Sequence, residues 1–174
     1  MSPSRLWAPW RAPYITHLDR RPLRGCLFCR ARRAGTARGV ASSSESRRAT
    51  HDRRHWVVHR GRRAFVLLNL YPYNNGHLLI APLRHVATLA ELTEAEILEL
   101  WRLAARFIQR LDRQLAPHGY NVGLNLGRPA GAGVLGHLHL HIVPRWDGDT
   151  NFMSVTAGTK VISMSLDQLY RLLV

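Results

Sequence analysis

Short runs of Val, Leu and Ile, separated by turn residues, dominate the pattern of hydrophobic and polar positions between residues 55 and 144. Runs of this length bounded by Gly, Pro or Asn are typical of β-strands. Pro72 and the pair Asn75-Gly76 separate two of the runs and predict a hairpin turn. The pattern predicts about five strands, namely HWVVH (55–59), AFVLLNL (64–70), GHLLIAPL (76–83), YNVGLNL (120–126) and a last strand over 137–144.

A helical periodicity follows the third predicted strand. Thr93 and Glu96 have the spacing of a capping box, in which two side chains satisfy backbone N–H groups at a helix start. Apolar residues then recur every three or four positions, which predicts one long amphipathic helix that ends near Leu115. They are Ile97, Leu100, Trp101, Ala104, Ile108, Leu111 and Leu115. With a shorter helix at 165–173, the antiparallel hairpins indicate an α+β fold in a single domain.

Two segments outside this pattern have a distinctive composition. Residues 1–29 form an N-terminal arm rich in Trp, Pro and Arg that carries the sequence CLFC. Residues 30–54 are polar and crowded with positive charge, so we predict a flexible insert that buries too little apolar area to order itself. This segment also lacks the interleaved aromatic residues of a nucleic-acid stacking platform. The remaining residues, 55–174, are predicted to form the domain that carries the candidate functional residues.

Composition narrows the class of protein. A chain of 174 residues with 46% hydrophobic residues can form one domain with a core. It contains no apolar run as long as a membrane span, and its first residues lack the apolar core of a secretory signal, so we predict a cytoplasmic protein without membrane contact. The net charge of +14 comes from Arg, since Lys160 is the single lysine. Such a charge favours a phosphate-bearing partner without choosing among nucleotides, nucleic acid and anionic lipid.

Three histidines alternate with aliphatic residues in the last predicted strand. Because strand side chains alternate between faces, His137, His139 and His141 share one face, and the aliphatic residues between them share the other. We expect the aliphatic face to pack on the long helix. A lone histidine is usually a satisfied polar side chain. Three in register each need a donor and an acceptor, and three imidazolium ions would repel one another.

Two chemical interpretations fit the histidine row. Imidazole is a common metal ligand, but a metal centre alone does not explain the glycine-rich loop 127–136, whose backbone N–H groups could cradle phosphate. Alternatively, a neutral imidazole attacks phosphorus through one nitrogen while a partner holds the proton on the other, which gives a phosphoramidate. Neighbouring imidazoles would donate to phosphate oxygens or to the leaving group. His139, flanked on both sides, is the predicted nucleophile.

The sequence HLHLHIVPRW, preceded by NVGLNLG and by FVLLNLYPYNNGHLLIAPLRHV, resembles the histidine triad (HIT) family. The segments LWAPWRAPYI and PRWDGDTNFM are most similar to the bacterial members that act as diadenosine tetraphosphate phosphorylases (ATP adenylyltransferases). The resemblance covers about residues 5–160. It implies a HIT-like antiparallel sheet and a homodimer with a continuous sheet, or a higher homo-oligomer.

The resemblance also implies roles for the matching residues. His139 would carry the nucleotidyl group, His137 and His141 would hold phosphate oxygens and the leaving group, and His77 would hydrogen-bond behind the row. Asn69 would bind the ribose and Asn125 the phosphate region. Trp146 either stacks on a base or packs at an interface. The predicted contacts with nucleotide and phosphate are therefore Asn69, Asn125, Gly131, Gly133 and Trp146.

The two cysteines also acquire a role from the resemblance. In a cytosolic chain, the CxxC spacing alone indicates a metal or redox pair. Zinc-containing members of the family supply two Cys and two His, which correspond here to Cys26, Cys29, His85 and His137. Two thiolates and two imidazoles suit a closed structural zinc site. His85 would otherwise be an exposed phosphate contact. Mg²⁺ on the substrate phosphates is compatible with the triad, which itself requires no divalent cation.

One departure from the family pattern bears on the reaction. Hydrolytic members carry a glutamine in the loop before the triad, where this chain has GAGVLG, with Gly131 and Gly133 and no amide side chain. Small residues leave room for phosphate to replace water as the second acceptor. The predicted activity is phosphorolysis of diadenosine tetraphosphate to ADP and ATP. The alternatives are hydrolysis of dinucleoside polyphosphates or nucleoside phosphoramidates and, in another class, a basic nucleotide- or nucleic-acid-binding protein with little turnover.

Overall fold

The computed structural model describes residues 25–33, 41–150 and 161–174. The predictions for LWAPWRAPYI and for the end of PRWDGDTNFM lie outside these ranges. Within them the chain forms five strands and four α-helices. In chain order these are α1 (Leu27–Arg32), α2 (Ala41–Arg54), β1 (Val57–Arg60), β2 (Ala64–Leu68), β3 (Leu78–Pro82), α3 (Glu94–Leu115), β4 (Gly119–Leu124), β5 (Leu140–Arg145) and α4 (Leu166–Leu173).

The strands form one antiparallel sheet in the order β1-β2-β3-β5-β4. The predicted hairpin pairs Ala64 with Pro82 and Leu68 with Leu78. The chain then crosses the sheet through α3, and β5 returns between β3 and β4. The predicted α+β class with five antiparallel strands, one long helix and one shorter helix is confirmed.

The main core lies between α3 and one face of the sheet. Leu140 and Ile142 belong to it, which confirms that the aliphatic side of the last strand packs on the long helix. Residues from β2, β3, α3 and α4 complete the cluster, among them Val66, Leu68, Leu78, Ile80, Leu100, Phe107, Leu111, Leu169 and Leu173. The opposite face carries a smaller cluster that includes Phe28, Phe65, Leu67, Leu79 and Ala81. The histidine row therefore lies on the face that α3 leaves open.

Two predicted core positions of α3 are wrong. Ile97 and Trp101 are 39% and 52% exposed, and Leu103 and Phe107 are buried instead. Each residue turns a helix by about 100°, so Trp101 projects far to the side of Leu100, which faces the sheet. The predicted apolar face had the right helical period, but it was too wide and included exposed positions on one side of the helix.

The predicted flexible insert over 30–54 is wrong for residues 41–54, which form α2. Contacts outside the segment explain why composition alone misjudged it. The Nε of Arg60 donates to Asp52 at 3.0 Å, and the Arg53 guanidinium lies over the rings of Trp56 and Tyr170 at 4.3 and 4.8 Å. These contacts join a charged helix to the folded chain. The predicted domain division at residue 55 stays a prediction.

In the part of the chain that the structure describes, no helix is both long and apolar enough to cross a membrane.

The start of α3 carries the predicted capping box. The Thr93 hydroxyl accepts from the backbone N–H of Glu96, and the Glu96 carboxylate accepts from the backbone N–H of Thr93. Glu96 is buried, and the Arg84 Nη2 donates to its Oε2 at 2.6 Å. The hydrogen bonds from Arg84 outweigh the effect of burial and lower the pKa of Glu96 to about 2.

Replacing Glu96 by Gln tests this ion pair, because glutamine retains the capping box without the charge. We expect Glu96→Gln to lower the free energy of unfolding at pH 7 by about 1–2 kcal/mol. The depressed pKa means that the ionised carboxylate stabilises the fold above about pH 5, and this stabilisation is lost as the pH falls towards 2. Urea unfolding should therefore show the gap between wild type and variant closing over that range. A gap that does not change with pH would contradict the assignment, and Glu94→Gln in the same helical turn is the control.

Candidate active site and metal centre

The three histidines lie where the chain enters β5. His141 pairs with Leu79 of β3 and with Gly123 of β4, so it projects from the open face of the sheet. His137 and His139 precede the first residue of β5, Leu140, whereas the sequence predicted that the strand begins at 137. The Leu138 N–H bonds to the Val86 carbonyl at 2.7 Å instead of joining the sheet ladder. Of the three histidines, His141 is therefore a strand residue. His137 and His139 belong to the segment that leads into β5, and the hydrogen bond to Val86 fixes this segment.

The hydrogen bonding of His139 leaves one ring nitrogen ready to attack. Its Nδ1 lies 2.9 Å from the His137 carbonyl oxygen. A carbonyl can only accept, so Nδ1 carries the proton and the lone pair is on Nε2. The side chain is buried, and burial lowers its pKa. His139 is therefore a neutral imidazole at pH 7 with a fixed tautomer.

A second chain of hydrogen bonds fixes the tautomer of His141. The backbone N–H of Tyr73 donates to the Nδ1 of His77 at 3.0 Å, so the proton of His77 is on Nε2. That nitrogen lies 2.9 Å from the Nδ1 of His141 and donates to it. The proton of His141 is consequently on Nε2. With ring centroids 4.9 Å apart, His139 and His141 place a nucleophile beside a donor.

The ring of His137 makes contacts other than the predicted one with phosphate. Its Nε2 donates to the Pro82 carbonyl at 2.9 Å, and its Nδ1 lies 3.3 Å from the Cys26 sulfur. Both ring nitrogens are therefore engaged away from any substrate. It is the backbone carbonyl of His137 that acts on the nucleophile, by holding the proton of His139.

Four residues form a cluster that could hold a metal ion. The donor atoms of Cys26, Cys29, His85 and His137 all lie within 4.8 Å of one another. The Cys29 sulfur is 3.3 Å from the Nδ1 of His85 and 3.7 Å from the Nδ1 of His137. Donor atoms at these separations can share one ion at bond lengths of about 2.0–2.3 Å. They are the four residues that the family resemblance implied as metal ligands.

The pKa values of His137 and Cys26 are compatible with a cation bound in the cluster. Burial lowers the pKa of His137 to about 4, so its imidazole is neutral and can ligate. Burial raises the pKa of the Cys26 thiol, with a contribution from the neighbouring Cys29. Cys26 and Cys29 are partly buried, and as thiolates they would need a compensating positive charge, which a divalent metal bound by two thiolates and two imidazoles would supply.

Phe28 links this cluster to the nucleophile and was not identified from the sequence. It lies between the two cysteines at the start of α1 and is fully buried. Its ring centroid is 5.0 Å from that of His137 and 4.8 Å from that of His139. The one signal was an aromatic residue inside the CxxC motif, which gave no indication of its target.

A cleft of about 190 Å³ lies in front of His137 and His139. The glycine-rich loop forms one wall of the cleft. Asn125 also lines the cleft, and its Nδ2 donates a hydrogen bond to the Gly131 carbonyl of the loop at 3.4 Å. Gly131 has φ +91°, a backbone conformation that requires glycine. The predicted contacts Gly131 and Gly133 do not line the cleft, and the loop residues that do line it are Gly127, Ala132, Val134, Leu135 and Gly136.

Two other predicted nucleotide contacts, Asn69 and Trp146, do not line this cleft, and their roles stay predictions. Asn69 is behind the row, where its Nδ2 is 3.2 Å from the Nδ1 of His77 and its Oδ1 accepts from the Tyr71 N–H. The indole N–H of Trp146 donates to the Leu115 carbonyl at 3.3 Å. That carbonyl is in the last turn of α3 and lacks a partner within the helix, so Trp146 caps the helix end.

Comparison with known proteins agrees with this geometry. Residues 52–148 match the model of the HIT domain. The chain is 39% identical over 169 residues to the AP-4-A phosphorylase of Mycobacterium tuberculosis. This alignment covers 97% of this chain and 82% of that protein. The structure of a hypothetical histidine triad nucleotide-binding protein from Sulfolobus tokodaii superposes with a TM-score of 0.56 at 25% sequence identity. The match covers 68% of this chain and 80% of that protein. A zinc-bound histidine triad family protein from Mycobacterium smegmatis is 23% identical with a TM-score of 0.56, covering 67% and 79%.

Metal analysis of the purified protein tests the four-residue cluster. We expect about one divalent metal ion per chain, as a closed site of this donor set binds tightly. His85→Ala removes an exposed ligand and should reduce the metal content several-fold with little effect on the core. His118→Ala, another exposed histidine, is the matched control. Equal metal content in the two variants would exclude His85 as a ligand.

Proposed function

The chain belongs to the histidine triad (HIT) family, and from that premise we propose that it is a nucleotidyltransferase that cleaves diadenosine tetraphosphate by phosphorolysis to ADP and ATP. The hydrogen bond from His139 Nδ1 to the His137 carbonyl carries this proposal, because it exposes a nucleophilic Nε2. The similarity to a protein named AP-4-A phosphorylase over 97% of the chain supports the choice of substrate.

The first step transfers an adenylyl group to His139. The lone pair on Nε2 attacks the α-phosphorus, a P–N bond forms, and the P–O bond to the bridging oxygen breaks. ATP departs with the electron pair on that oxygen, to which the Nε2–H of His141 donates a hydrogen bond. The His137 carbonyl stabilises the positive charge that develops on the His139 ring.

The second step returns the adenylyl group to phosphate. An oxygen of inorganic phosphate attacks the phosphorus, the P–N bond breaks, and ADP leaves. The electron pair of the broken P–N bond returns to the Nε2 of His139, and His141 keeps its proton throughout, so both imidazoles have their starting tautomers again. Phosphate enters most directly through the cleft in front of His139, where Ala132 leaves space beside the Asn125 amide. The net charge of +14 favours the capture of both anionic reactants.

Zinc is the metal we propose for the four-residue cluster. Two thiolates with two imidazoles is a donor set of structural zinc sites. The ion supplies no step of the reaction. Bound by these four residues, it would hold α1 against His137 and so hold the carbonyl that orients His139. Thiols retained as metal ligands also fit the predicted cytoplasmic location.

The proposed assembly is a homodimer. β4 forms one edge of the described sheet, so one side of its backbone can pair with the same strand of a second copy. Such pairing would extend the sheet across the interface, as the family resemblance implies.

Product analysis with diadenosine tetraphosphate tests the reaction. With phosphate we expect equal amounts of ADP and ATP, and without phosphate at most one equivalent of ATP per active site. His139→Ala should lower turnover by about a thousandfold or more while the nucleotide still binds, because the nucleophile is lost and the cleft remains. His118→Ala is the matched control. AMP and ATP formed at the same rate with or without phosphate would identify a hydrolase, and a His139→Ala protein with unchanged turnover would overturn the mechanism.

A further inference from the structure

A second cleft, of about 350 Å³, lies over β4 on the other side of the triad and has no part in the steps above. We call it the β4 cleft. Its lining includes Tyr73, Asn121, Gly123, His141 and Arg145. The volume falls within the range of roughly 300–1,000 Å³ that is usual for small-molecule sites. Residues of both β4 and β5 form its floor, on the open face of the sheet.

In the proposed reaction the leaving group lies on the side of the triad where this cleft is. His141 carries its proton on Nε2 and lines the β4 cleft, whereas His137 and His139 line the smaller cleft. The oxygen that leaves phosphorus must be near the donor, so the leaving chain extends from His141 away from His139. Asn125 lines both clefts, so one extended ligand can pass from one to the other.

Gly123 keeps the floor of the β4 cleft open. It pairs with His141, so a side chain at this position would project beside the imidazole. A Cβ at Gly123 would meet no atom within 4 Å, and its backbone is outside the left-handed region. Neither packing nor backbone conformation therefore requires glycine. What glycine provides is space next to the donor.

A fixed polar wall closes the far end of the cleft. The Arg145 Nη2 donates to Asp149 at 2.9 Å, and its Nη1 donates to the Oδ1 of Asn121 at 2.8 Å. The Asp149 side chain is 6% exposed and also accepts from Asn74 at 2.9 Å. The guanidinium is thus held in one orientation before a ligand arrives, which reduces the entropy lost on binding.

We propose that the β4 cleft binds the leaving nucleotide of the dinucleotide substrate, a nucleoside triphosphate. Its phosphates pass His141 towards Asn121 and Arg145, and its nucleoside lies against the ring of Tyr73. That ring is itself held by stacking on His77, with centroids 4.8 Å apart. This inference rests on the proposed function, since it concerns the second half of the same substrate.

Gly123→Val tests the inference by filling the cleft with a side chain. Gly119→Val is the matched control, because Gly119 is in the same strand, also has open space around its Cβ and does not line the cleft. Each variant is assayed with diadenosine tetraphosphate and with adenosine 5′-phosphofluoridate, whose leaving group is fluoride. We expect Gly123→Val to lower kcat/KM for the dinucleotide by about tenfold or more and to leave that for the fluoridate within about twofold. Gly119→Val should leave both values within the same limit.

The possible outcomes separate this inference from the proposed function. If Gly123→Val loses both substrates equally, or if it matches Gly119→Val on the dinucleotide, the leaving nucleotide does not occupy the β4 cleft. If the wild type forms no ADP and ATP from the dinucleotide and phosphate, the proposed function itself fails.

Asn121→Asp provides a test that does not depend on the folding of the valine variant. Aspartate keeps the acceptor for Arg145 but adds a negative charge to the cleft. We expect a several-fold higher KM for the dinucleotide and an unchanged KM for the fluoridate. Equal KM values for wild type and Asn121→Asp with the dinucleotide would overturn the inference.

Discussion

The hydrogen bond between His139 Nδ1 and the His137 carbonyl is the interaction on which the site depends. Without it, either nitrogen of His139 could carry the proton, and part of the population would present N–H instead of a lone pair to the phosphorus. The bond works because His137 cannot move. Its ring is held between the Pro82 carbonyl and the Cys26 sulfur, and Phe28 packs on both imidazoles. The cluster of Cys26, Cys29, His85 and His137 therefore supports the nucleophile through the position of His137.

The two reacting histidines are prepared in opposite ways. The Nδ1–H of His139 donates a hydrogen bond to a carbonyl, so its lone pair is on Nε2. The Nδ1 of His141 accepts a hydrogen bond from His77, so its proton is on Nε2. The Tyr73 backbone N–H ultimately sets this difference, because a backbone amide can only donate. The neighbouring imidazoles of His139 and His141 thus become a nucleophile and a hydrogen-bond donor without any charged partner.

The sequence predicted what depends on periodicity and missed what depends on contacts. Alternation placed His137, His139 and His141 on one face, and the Thr93–Glu96 spacing predicted the start of α3. The metal ligands came from the family resemblance, and the structure brings them together. Spacing does not show hydrogen-bond partners, so the distinct part of His137 and the helix-capping role of Trp146 could not be foreseen. The order of α2 likewise depends on Arg60, outside the segment whose composition indicated flexibility.

A covalent intermediate on His139 is the central claim, and mass spectrometry of the protein tests it most directly. The enzyme is mixed with diadenosine tetraphosphate in the absence of phosphate, quenched without acid because phosphoramidates are acid-labile, and digested. The account predicts one adenylyl group per chain on the peptide that contains His139, and its release as ADP when phosphate is added before the quench. ATP formation without any adduct under single-turnover conditions, or an adduct on a different residue, would contradict it.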